Sequence, residues 1–298
     1  MNEATIEKQL IAENVKRLFE RRRRMLGLHT RKRLKRPPAM LYPAMLENKH
    51  ARDLRSVVDK WKQQVKMVLF PMLVQEFGGV KQTRHDAKPK IKEFVSVIDL
   101  MSFDNALITA IPTITTNALN VANWNQQKWQ KVVSSVMGVT VATPVKGIDV
   151  AMEDFVERNV ALLKDTSQQV KTQIKLVIAD GLKKGWTADR IASKILSGTD
   201  LERGVFKKAE TRATLIARQQ VGQYTSWMNQ KRQTALGVNK YRWRGMLDQR
   251  ERPEHRAREG QVFSWDRPPE DGHPGEPYNC RCYPEAIFDD IEAEAGFW

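Results

Sequence analysis

The spacing of apolar residues changes at Gly237, and this change divides the chain into two kinds of structure. Before Gly237, apolar residues recur every three to four positions over long stretches, which is the pattern of amphipathic helices. After it, the aromatic residues Tyr241 and Trp243 alternate with arginines, which is the two-residue period of a strand. We therefore predict an α+β fold, with a mainly helical, elongated N-terminal part and a small C-terminal α+β module of short strands and loops.

The breaks in the helical pattern give the expected element boundaries. Pro71 is expected to kink or end its helix, and Thr187 has the hydroxyl of an N-cap residue. The segment 138–147 is short and β-branched, so it is either a strand or an extended connector. The predicted helices span 1–27, 44–77, 91–137 with a break near Pro112, 149–184, 188–196 and 209–236, and the predicted strands span 240–247, 261–263 and 280–283.

These patterns predict four regions along the chain. Residues 1–40 form a basic helical arm and linker, and residues 41–184 form a helical region. Residues 185–284 form the C-terminal module, which includes a loop rich in proline and glycine at 266–277. Residues 285–298 form an acidic tail, which either folds back on a basic surface or is solvated.

The charge of the chain points to a polyanionic partner. The net charge is +15, and the 21 residues from Lys16 to Arg36 carry eleven Lys or Arg residues against one acid, so this segment contributes +10. Nucleic acid and an anionic membrane surface are the usual partners of such a chain, and a solvated basic surface is the alternative interpretation. No aromatic residue interrupts the second half of the segment, so contact with phosphates is expected rather than base reading. The predicted nucleic-acid-binding residues are Arg21, Arg22, Arg23, Arg24, Arg31, Lys32, Arg33, Lys35 and Arg36.

Two further features limit the class of protein. The longest apolar runs, 67–74 and 107–111, are much shorter than the ~20 residues of a membrane-spanning helix, so no membrane association is expected. Two cysteines cannot hold together a disulfide-rich secreted domain, and with one residue between them they suit a metal or a reducing compartment. We expect a soluble intracellular protein, or a part of something assembled inside a cell.

The two cysteines, Cys280 and Cys282, are the strongest candidates for chemistry. On a strand, their sulfur atoms would face the same side, which is half of a tetrahedral metal site. His255 and His273 are the natural completions, and the predicted ligand set is His255, His273, Cys280 and Cys282, holding a structural Zn²⁺. The alternative is a pair of reduced core cysteines with surface histidines.

Other polar residues in this region suggest turns more than catalysis. Asp248 and Arg250 either form an ion pair that closes a turn or face a partner, and Gly260 is expected to have a positive φ before the next strand. Asp248, Glu254, His255, His273 and Asn279 could also be the parts of a metal-dependent nuclease acting on DNA. No recognisable nuclease spacing, nucleophile elbow, phosphate-binding loop or HExxH motif accompanies them, so we expect no catalytic residues and no enzyme.

The C-terminal third contains a series of short motifs. They are Ala217-Arg218-Gln219-Gln220, Gly237, Tyr241-Arg242-Trp243, Asp248-Gln249-Arg250, Arg252-Pro253-Glu254-His255, Gly260-Gln261-Val262-Phe263, His273-Pro274 and Asn279-Cys280-Arg281-Cys282. The structural motif residues within them are Trp243, Asp248, Arg250, Gly260, Asn279 and Arg281. Across roughly residues 185–284, the order and spacing of these motifs resemble those of the phage head morphogenesis family, the Mu F-like minor head proteins.

The sequence departs from the family pattern at two places. The acidic residue of the family's helix is Gln220 here, which puts any role of that charge in doubt. The element that carries two cysteines in the family has Arg252 and His255 here, so one thiol is lost while His255 retains a type of side chain that binds metals.

The resemblance implies a minor head protein of a tailed phage or prophage, acting in head morphogenesis and virion assembly. Such a protein would lie in the capsid interior near the portal, after assembly in the host cytoplasm. Its implied partners are the portal protein, capsid or scaffold proteins and packaged double-stranded DNA. The basic segment suits this setting independently, because enclosed DNA presents phosphate at high local concentration. The alternatives are the metal-dependent nuclease and a DNA-binding regulator, although no helix-turn-helix is apparent for the latter.

Overall fold

A computed structural model describes residues 13, 17, 38–39, 42–77, 87–137, 145–199 and 202–288. The fold is α+β, mostly helical with a small antiparallel sheet near the C-terminus, as the change in periodicity predicts. The predicted nucleic-acid-binding residues, from Arg21 to Arg36, lie outside the described residues, as do the end of the acidic tail and most of the 138–147 connector. The helices are α1 (Ala44–Phe77), α2 (Ala87–Leu100), α3 (Asp104–Ile108), α4 (Ile111–Met137), α5 (Ile148–Lys184), α6 (Ala188–Leu196), α7 (Val205–Ala235) and α8 (Pro253–Ala257).

The helix boundaries follow local chemistry closely. Helix α1 spans Ala44–Phe77, as predicted, and Pro71 lies inside it, so of the two outcomes expected for this proline it does not end the helix. The predicted break near Pro112 falls slightly earlier, between α2, α3 and α4, and Pro112 is the second residue of α4. A proline is tolerated in the first turn because its missing N–H would have no helical partner there. The predicted cap at Thr187 is confirmed, since its hydroxyl accepts a hydrogen bond of 3.3 Å from the Arg190 N–H.

Two small sheets complete the described fold. Strands β1 (Gly198–Thr199) and β2 (Glu202–Arg203) form an antiparallel pair before α7. Strands β3 (Lys240–Arg244), β4 (Val262–Ser264) and β5 (Tyr283–Ile287) form an antiparallel sheet in the order β4-β3-β5. The central strand β3 buries the aromatic residues of its two-residue period, since Tyr241 and Trp243 are both fully buried.

The third strand begins later than the sequence predicts. The strand expected at 280–283 is found at Tyr283–Ile287, where Arg244 pairs with Tyr283 and Lys240 with Ile287. Asn279 has a φ of 54°, a left-handed conformation that belongs to a turn rather than a strand. The two cysteines therefore lie in the turn and loop that enter β5, and their placement on a strand was wrong.

The chain divides into two compact units, each built from separated segments. The first unit comprises Met1–Leu46, Ala118–Glu153 and Gln219–Trp298, and the second comprises Glu47–Asn117 and Asp154–Arg218. Within the first unit, the buried Trp129 stacks on Phe288 with ring centroids 6.1 Å apart. The three-stranded sheet and both cysteines belong to this unit.

The core of the second unit contains a buried polar network around His50. The Nε2 atom of His50 lies 3.0 Å from the side-chain oxygen of Asn159, and its Nδ1 atom lies 3.1 Å from the side-chain nitrogen of Asn117. Asn117 also donates to Asp53 at 2.7 Å and accepts from Lys49 at 2.6 Å. These contacts suit a neutral imidazole that donates from Nε2 and accepts at Nδ1. Burial lowers the pKa of His50 to about 4.

Among the described residues, no single helix is both long and apolar enough to cross a membrane. One bent pair, Ile91–Ile108 with Ile111–Val136, reaches that length and composition together.

Candidate metal centre

A small aromatic and sulfur core lies beneath the three-stranded sheet. Tyr241, Trp243, Trp265, Cys280 and Cys282 are all buried and pack together, with Phe263 against them. Strand β3 supplies the first two aromatic side chains, and the loop into β5 supplies the cysteines. The two thiols therefore lie in a buried aromatic core, where a bound metal would be shielded from water.

Three side chains bring potential metal ligands together in this core. The Nδ1 atom of His255 lies 3.4 Å from the sulfur of Cys280 and 3.5 Å from the sulfur of Cys282. All three ligand atoms lie within 4.8 Å of one another. His255 is placed by the short helix α8, which Pro253 begins at a position that suits proline.

The spacing of these atoms fits a tetrahedral zinc ion. Typical zinc–sulfur and zinc–nitrogen bonds of ~2.3 Å and ~2.0 Å place neighbouring ligand atoms roughly 3.5 Å apart in a tetrahedron. The nitrogen–sulfur distances of 3.4 and 3.5 Å agree with that value. One imidazole and two thiolates are also the donors that zinc prefers over magnesium or calcium. His255, Cys280 and Cys282 could therefore hold three of the four positions of a structural zinc.

The orientation of the His255 ring is fixed from its far side. Its Nε2 atom lies 2.8 Å from a carboxylate oxygen of Asp271, and the guanidinium of Arg258 forms an ion pair with the same carboxylate. An imidazole that binds a metal through one nitrogen commonly donates its other N–H to a carboxylate. This arrangement leaves Nδ1 to face the two sulfurs, and Asp271 is a residue of the site that the sequence analysis missed.

The polar surroundings of the sulfurs favour a thiolate at Cys280. Its sulfur accepts hydrogen bonds of 3.4 Å from the backbone N–H groups of Gly275 and Cys282. The hydrogen bond from the Cys282 thiol, together with contacts to His255 and these N–H groups, lowers the pKa of Cys280 to about 5 despite its burial. The same hydrogen bond and burial raise the pKa of Cys282, because the two sulfurs share one proton. The hydrogen bond to Cys280 also raises the pKa of His255.

His273 is the predicted ligand that does not join this group. Its Nδ1 atom lies 2.9 Å from the hydroxyl of Tyr241, and its ring packs on Trp265 with centroids 4.7 Å apart. Burial lowers the pKa of His273. In this arrangement His273 packs in the aromatic core beside the cysteine pair.

A carboxylate that the sequence analysis did not select lies on the other side of the pair. The sulfur of Cys282 lies 3.6 Å from a carboxylate oxygen of Glu251. Glu251 also accepts a 2.6 Å hydrogen bond from the Leu247 N–H, and a Cβ atom added at Gly245 would lie 1.8 Å from a Glu251 oxygen. Glu251 thus places a carboxylate close to the Cys282 sulfur, and a side chain at 245 would require the Glu251 side chain to shift.

The structural motif residues connect the loops around the centre. Arg281 donates two hydrogen bonds to Asp248, of 2.7 and 2.6 Å, whereas the guanidinium of Arg250 is 3.9 Å from the same carboxylate. The Arg250 N–H donates to Asp248 at 3.0 Å, which closes the turn. Gly260 has a φ of 79°, the positive value expected before β4. Trp243 packs edge-on against His255, with ring centroids 5.2 Å apart.

The loop that carries Cys280 and Cys282, the cysteine loop, packs against helix α7. The apolar periodicity of the sequence does not predict these contacts. A Cβ atom at Gly222 would lie 3.1 Å from the Cys280 carbonyl oxygen and 3.5 Å from that of Gly275, so the helix and the loop meet without a side chain between them. Gln219, about one turn before Gly222, and Gln223, the next residue after it, each donate to the carbonyl oxygen of Glu276, at 3.5 and 3.3 Å. The close approach at Gly222 and the two glutamine hydrogen bonds together set the distance between the cysteine loop and α7.

Comparison with known proteins gives a family for the segment that contains this centre. Residues 172–284 match the family model described as "Phage Mu protein F like protein". An "Uncharacterized protein" of Haemophilus influenzae (strain ATCC 51907 / DSM 11121 / KW20 / Rd) is 30% identical over 135 residues, which are 45% of this chain and 29% of that protein. The chain thus spans less than a third of the length of this relative. No solved structure matches the chain.

Proposed function

We propose that this chain, whose residues 172–284 are Phage Mu F-like, is a head morphogenesis protein of a tailed phage or prophage. The observation that carries the proposal is that the family match covers the segment that holds the candidate metal centre. The matched residues include α7, strands β3 and β4, the start of β5 and the His255–Cys280–Cys282 cluster. The role is structural: the module serves assembly of the virion, and the protein remains associated with the particle.

The finer role that we propose is that of a minor head protein near the portal. Its partners are the portal protein, capsid or scaffold proteins and packaged double-stranded DNA, and it resides in the capsid interior after assembly in the host cytoplasm. The net charge of +15 supports contact with DNA, since each phosphate that a cation neutralises releases a counterion. The predicted arm residues Arg21 to Arg24 and Arg31 to Arg36 supply most of that charge.

We further propose that the module is stabilised by one zinc ion. The imidazole of His255 and the sulfurs of Cys280 and Cys282 would hold it, and a bound zinc would stabilise both thiolates by its charge. The exposed fractions of these residues are 2%, 4% and 5%, so the centre is closed to solvent. Three protein ligands leave the fourth position open, as in catalytic zinc sites, so the number of ligands does not separate the two roles. A substrate must also reach that position, and the burial of all three donors therefore supports a structural ion over the nuclease alternative.

Elemental analysis of the purified chain tests the metal. We expect about one zinc per chain in the wild-type protein and much less in the double variant Cys280→Ser/Cys282→Ser. A matched control is His50→Asn, which alters a buried histidine of the other unit and should retain the zinc. Freshly reduced wild-type protein without metal would refute the zinc proposal.

Complementation of a phage that lacks this gene tests the role in the head. We expect wild-type protein to be found in purified particles and to restore DNA-filled heads, and the double cysteine variant to restore few. If purified particles contain no copies of the wild-type protein, the head role is wrong. Divalent-dependent cleavage of plasmid DNA that disappears in His255→Ala would instead favour the nuclease.

A further inference from the structure

The junction between α5 and α6 places one tryptophan among several basic side chains. Helix α5 ends at Lys184, and Gly185 follows with a φ of 64°. The Trp186 N–H then donates to the Gly181 carbonyl oxygen at 2.9 Å, which closes the helix end and fixes the direction in which Trp186 leaves it. The Thr187 cap starts α6 immediately afterwards. The whole junction belongs to the second unit.

Three cations surround the indole of Trp186. The Nζ atoms of Lys184 and Lys194 lie 5.3 and 5.1 Å from its ring centroid, and the guanidinium carbon of Arg190 lies 4.7 Å from it. Trp186, Arg190 and Lys194 follow one another at intervals of four residues, so they share one face of α6 and the turn before it. We call Trp186, Lys184, Arg190 and Lys194 the Trp186 cluster.

The charge of the cluster is only partly balanced. Lys184 forms an ion pair of 2.7 Å with Asp180. Arg190 is exposed, and no carboxylate within the described part of the chain comes within ion-pair distance of its guanidinium. Lys183, next to Lys184, is also exposed. Several positive groups are therefore held close together on a surface, which is unfavourable until an anion approaches them.

The indole gives these cations a fixed arrangement. A cation within about 6 Å of an aromatic face is attracted to it, which restricts the rotamers of a long side chain. Groups that are already ordered lose less entropy when they bind a partner. The cluster thus resembles a preformed set of phosphate contacts more than a set of freely moving surface lysines.

We propose that the Trp186 cluster is a second contact for the phosphate backbone of double-stranded DNA, separate in sequence from the basic arm. DNA suits the cluster better than an anionic membrane, because Trp186 is partly buried and enclosed by cations and so offers no apolar side chain for insertion into lipid. The choice of DNA rests on the proposed function in a phage head. The cluster lies within the Phage Mu F-like residues, whereas the arm lies outside them.

Salt-dependent binding of the full chain to a 30-base-pair duplex tests this proposal. The test variant is Lys184→Gln/Arg190→Gln/Lys194→Gln. The matched control is Arg158→Gln/Lys175→Gln/Lys207→Gln, which removes three cations of the same unit that lie outside the Trp186 cluster and form ion pairs with Asp154, Asp99 and Glu210. Both variants have the same net charge, so a difference between them reports position rather than total charge.

We expect the slope of log Kobs against log salt to become shallower by about 2 to 3 in the test variant, since each lost phosphate contact contributes ~0.9. Affinity near 0.1 M salt should fall at least about tenfold, and the control should change by less than about threefold. Equal effects in the two variants, or none in the test variant, would overturn the proposal. Unchanged DNA binding with lost binding to phosphatidylglycerol vesicles would overturn it in favour of a membrane contact.

Two further measurements distinguish the loss of a DNA contact from loss of folding and from failure of the proposed head role. Arg190→Gln alone, at an exposed position, should reduce the slope by ~0.9 and leave the thermal unfolding unchanged, which excludes loss of folding as the cause. Incorporation of the wild-type chain into particles is scored separately. Incorporation together with an unchanged DNA slope in the test variant refutes only the cluster, whereas absence from particles refutes the head role.

Discussion

At the scale of single residues, Asp271 shows how a side chain without a recognisable motif can matter to the centre. It lies in a loop rich in proline and glycine, 16 positions after His255, and contacts the ring nitrogen that faces away from the sulfurs. The sequence identifies the types of metal-binding side chain but not the group that orients the imidazole. That orientation depends on which loop folds over α8.

We predict that Asp271→Asn weakens zinc binding about 10- to 100-fold, because an amide holds the His255 tautomer less well than a carboxylate. Titration against a competing chelator measures the change. Glu270→Gln is the matched control, since Glu270 is the exposed neighbour in the same loop and should leave the affinity unchanged. Equal affinities of Asp271→Asn and wild type would show that the carboxylate does not support a metal ligand.

His50 gives a second residue-scale prediction, on pH. Its pKa of about 4 in the folded state is below the ordinary value of 6.5, so the unfolded chain binds more protons between these values. The contribution of neutral His50 is fully present above pH 6.5 and is lost as the pH falls towards 4. We expect a loss of about 2 kcal/mol in the free energy of unfolding between pH 7.5 and pH 5.

Denaturant unfolding of wild type and His50→Gln at both pH values checks this expectation. The variant should be less stable than wild type at pH 7.5, because it disturbs the buried contacts with Asn117 and Asn159. The difference in free energy of unfolding between wild type and variant should narrow by about 2 kcal/mol at pH 5, because the unfolded wild-type chain then binds a proton at His50 that the folded protein does not. A gap that stays constant between the two pH values would contradict a depressed pKa for His50.

At the scale of elements, the contact between α7 and the cysteine loop determines the position of the two thiols. Gly222 removes the side chain at the point of closest approach, and Gly275, with a φ of 94°, turns the loop towards the helix. From the sequence alone, Gly222 is unfavourable for a helix, because glycine has a lower helix propensity than alanine. The structure gives a reason for glycine at this position: the cysteine loop packs closely against it.

We predict that Gly222→Ala destabilises the first unit by about 1 kcal/mol, because a steric cost of ~2 kcal/mol exceeds the ~1 kcal/mol that alanine gains in helix propensity. The zinc should also dissociate faster, since the carbonyl of Cys280 must move away from the new methyl group. Thermal unfolding and the rate of zinc transfer to a chelator measure these effects. Thr211→Ala, exposed on the same helix, should be neutral or slightly stabilising, and a similar effect of both variants would refute the packing argument.

At the scale of the whole molecule, the two units have different means of stabilisation. The second unit buries large apolar helix faces, with Trp61 stacked on Phe103 at 5.4 Å. The C-terminal part of the first unit has three short strands and long loops, and its core combines aromatic rings with two cysteines. A small core of this kind gains much from a metal, because metal binding adds directly to the free energy of folding.

We therefore predict that removal of zinc destabilises the C-terminal part of the first unit, residues 239–288, and leaves the helices of the second unit folded. Hydrogen exchange after treatment with a chelator should show lost amide protection across 239–288 and unchanged protection across 155–182. Restoring zinc should restore the protection. Equal loss of amide protection in both ranges, or no loss in either, would show that the metal does not stabilise this part of the first unit locally.

The sequence by itself determined the class of fold and most helix boundaries, because these depend on local periodicity, capping and breaking residues. The Thr187 cap and the switch to a two-residue period after Gly237 are local signals, and the motif series indicated the family whose model matches residues 172–284. The tertiary structure decided the rest. It placed the cysteines before β5, brought His255 but not His273 to them, and selected Asp271, Glu251 and Gly222 as their neighbours. These outcomes depend on how far apart in space the loops lie, and the spacing of residues along a chain does not specify that distance.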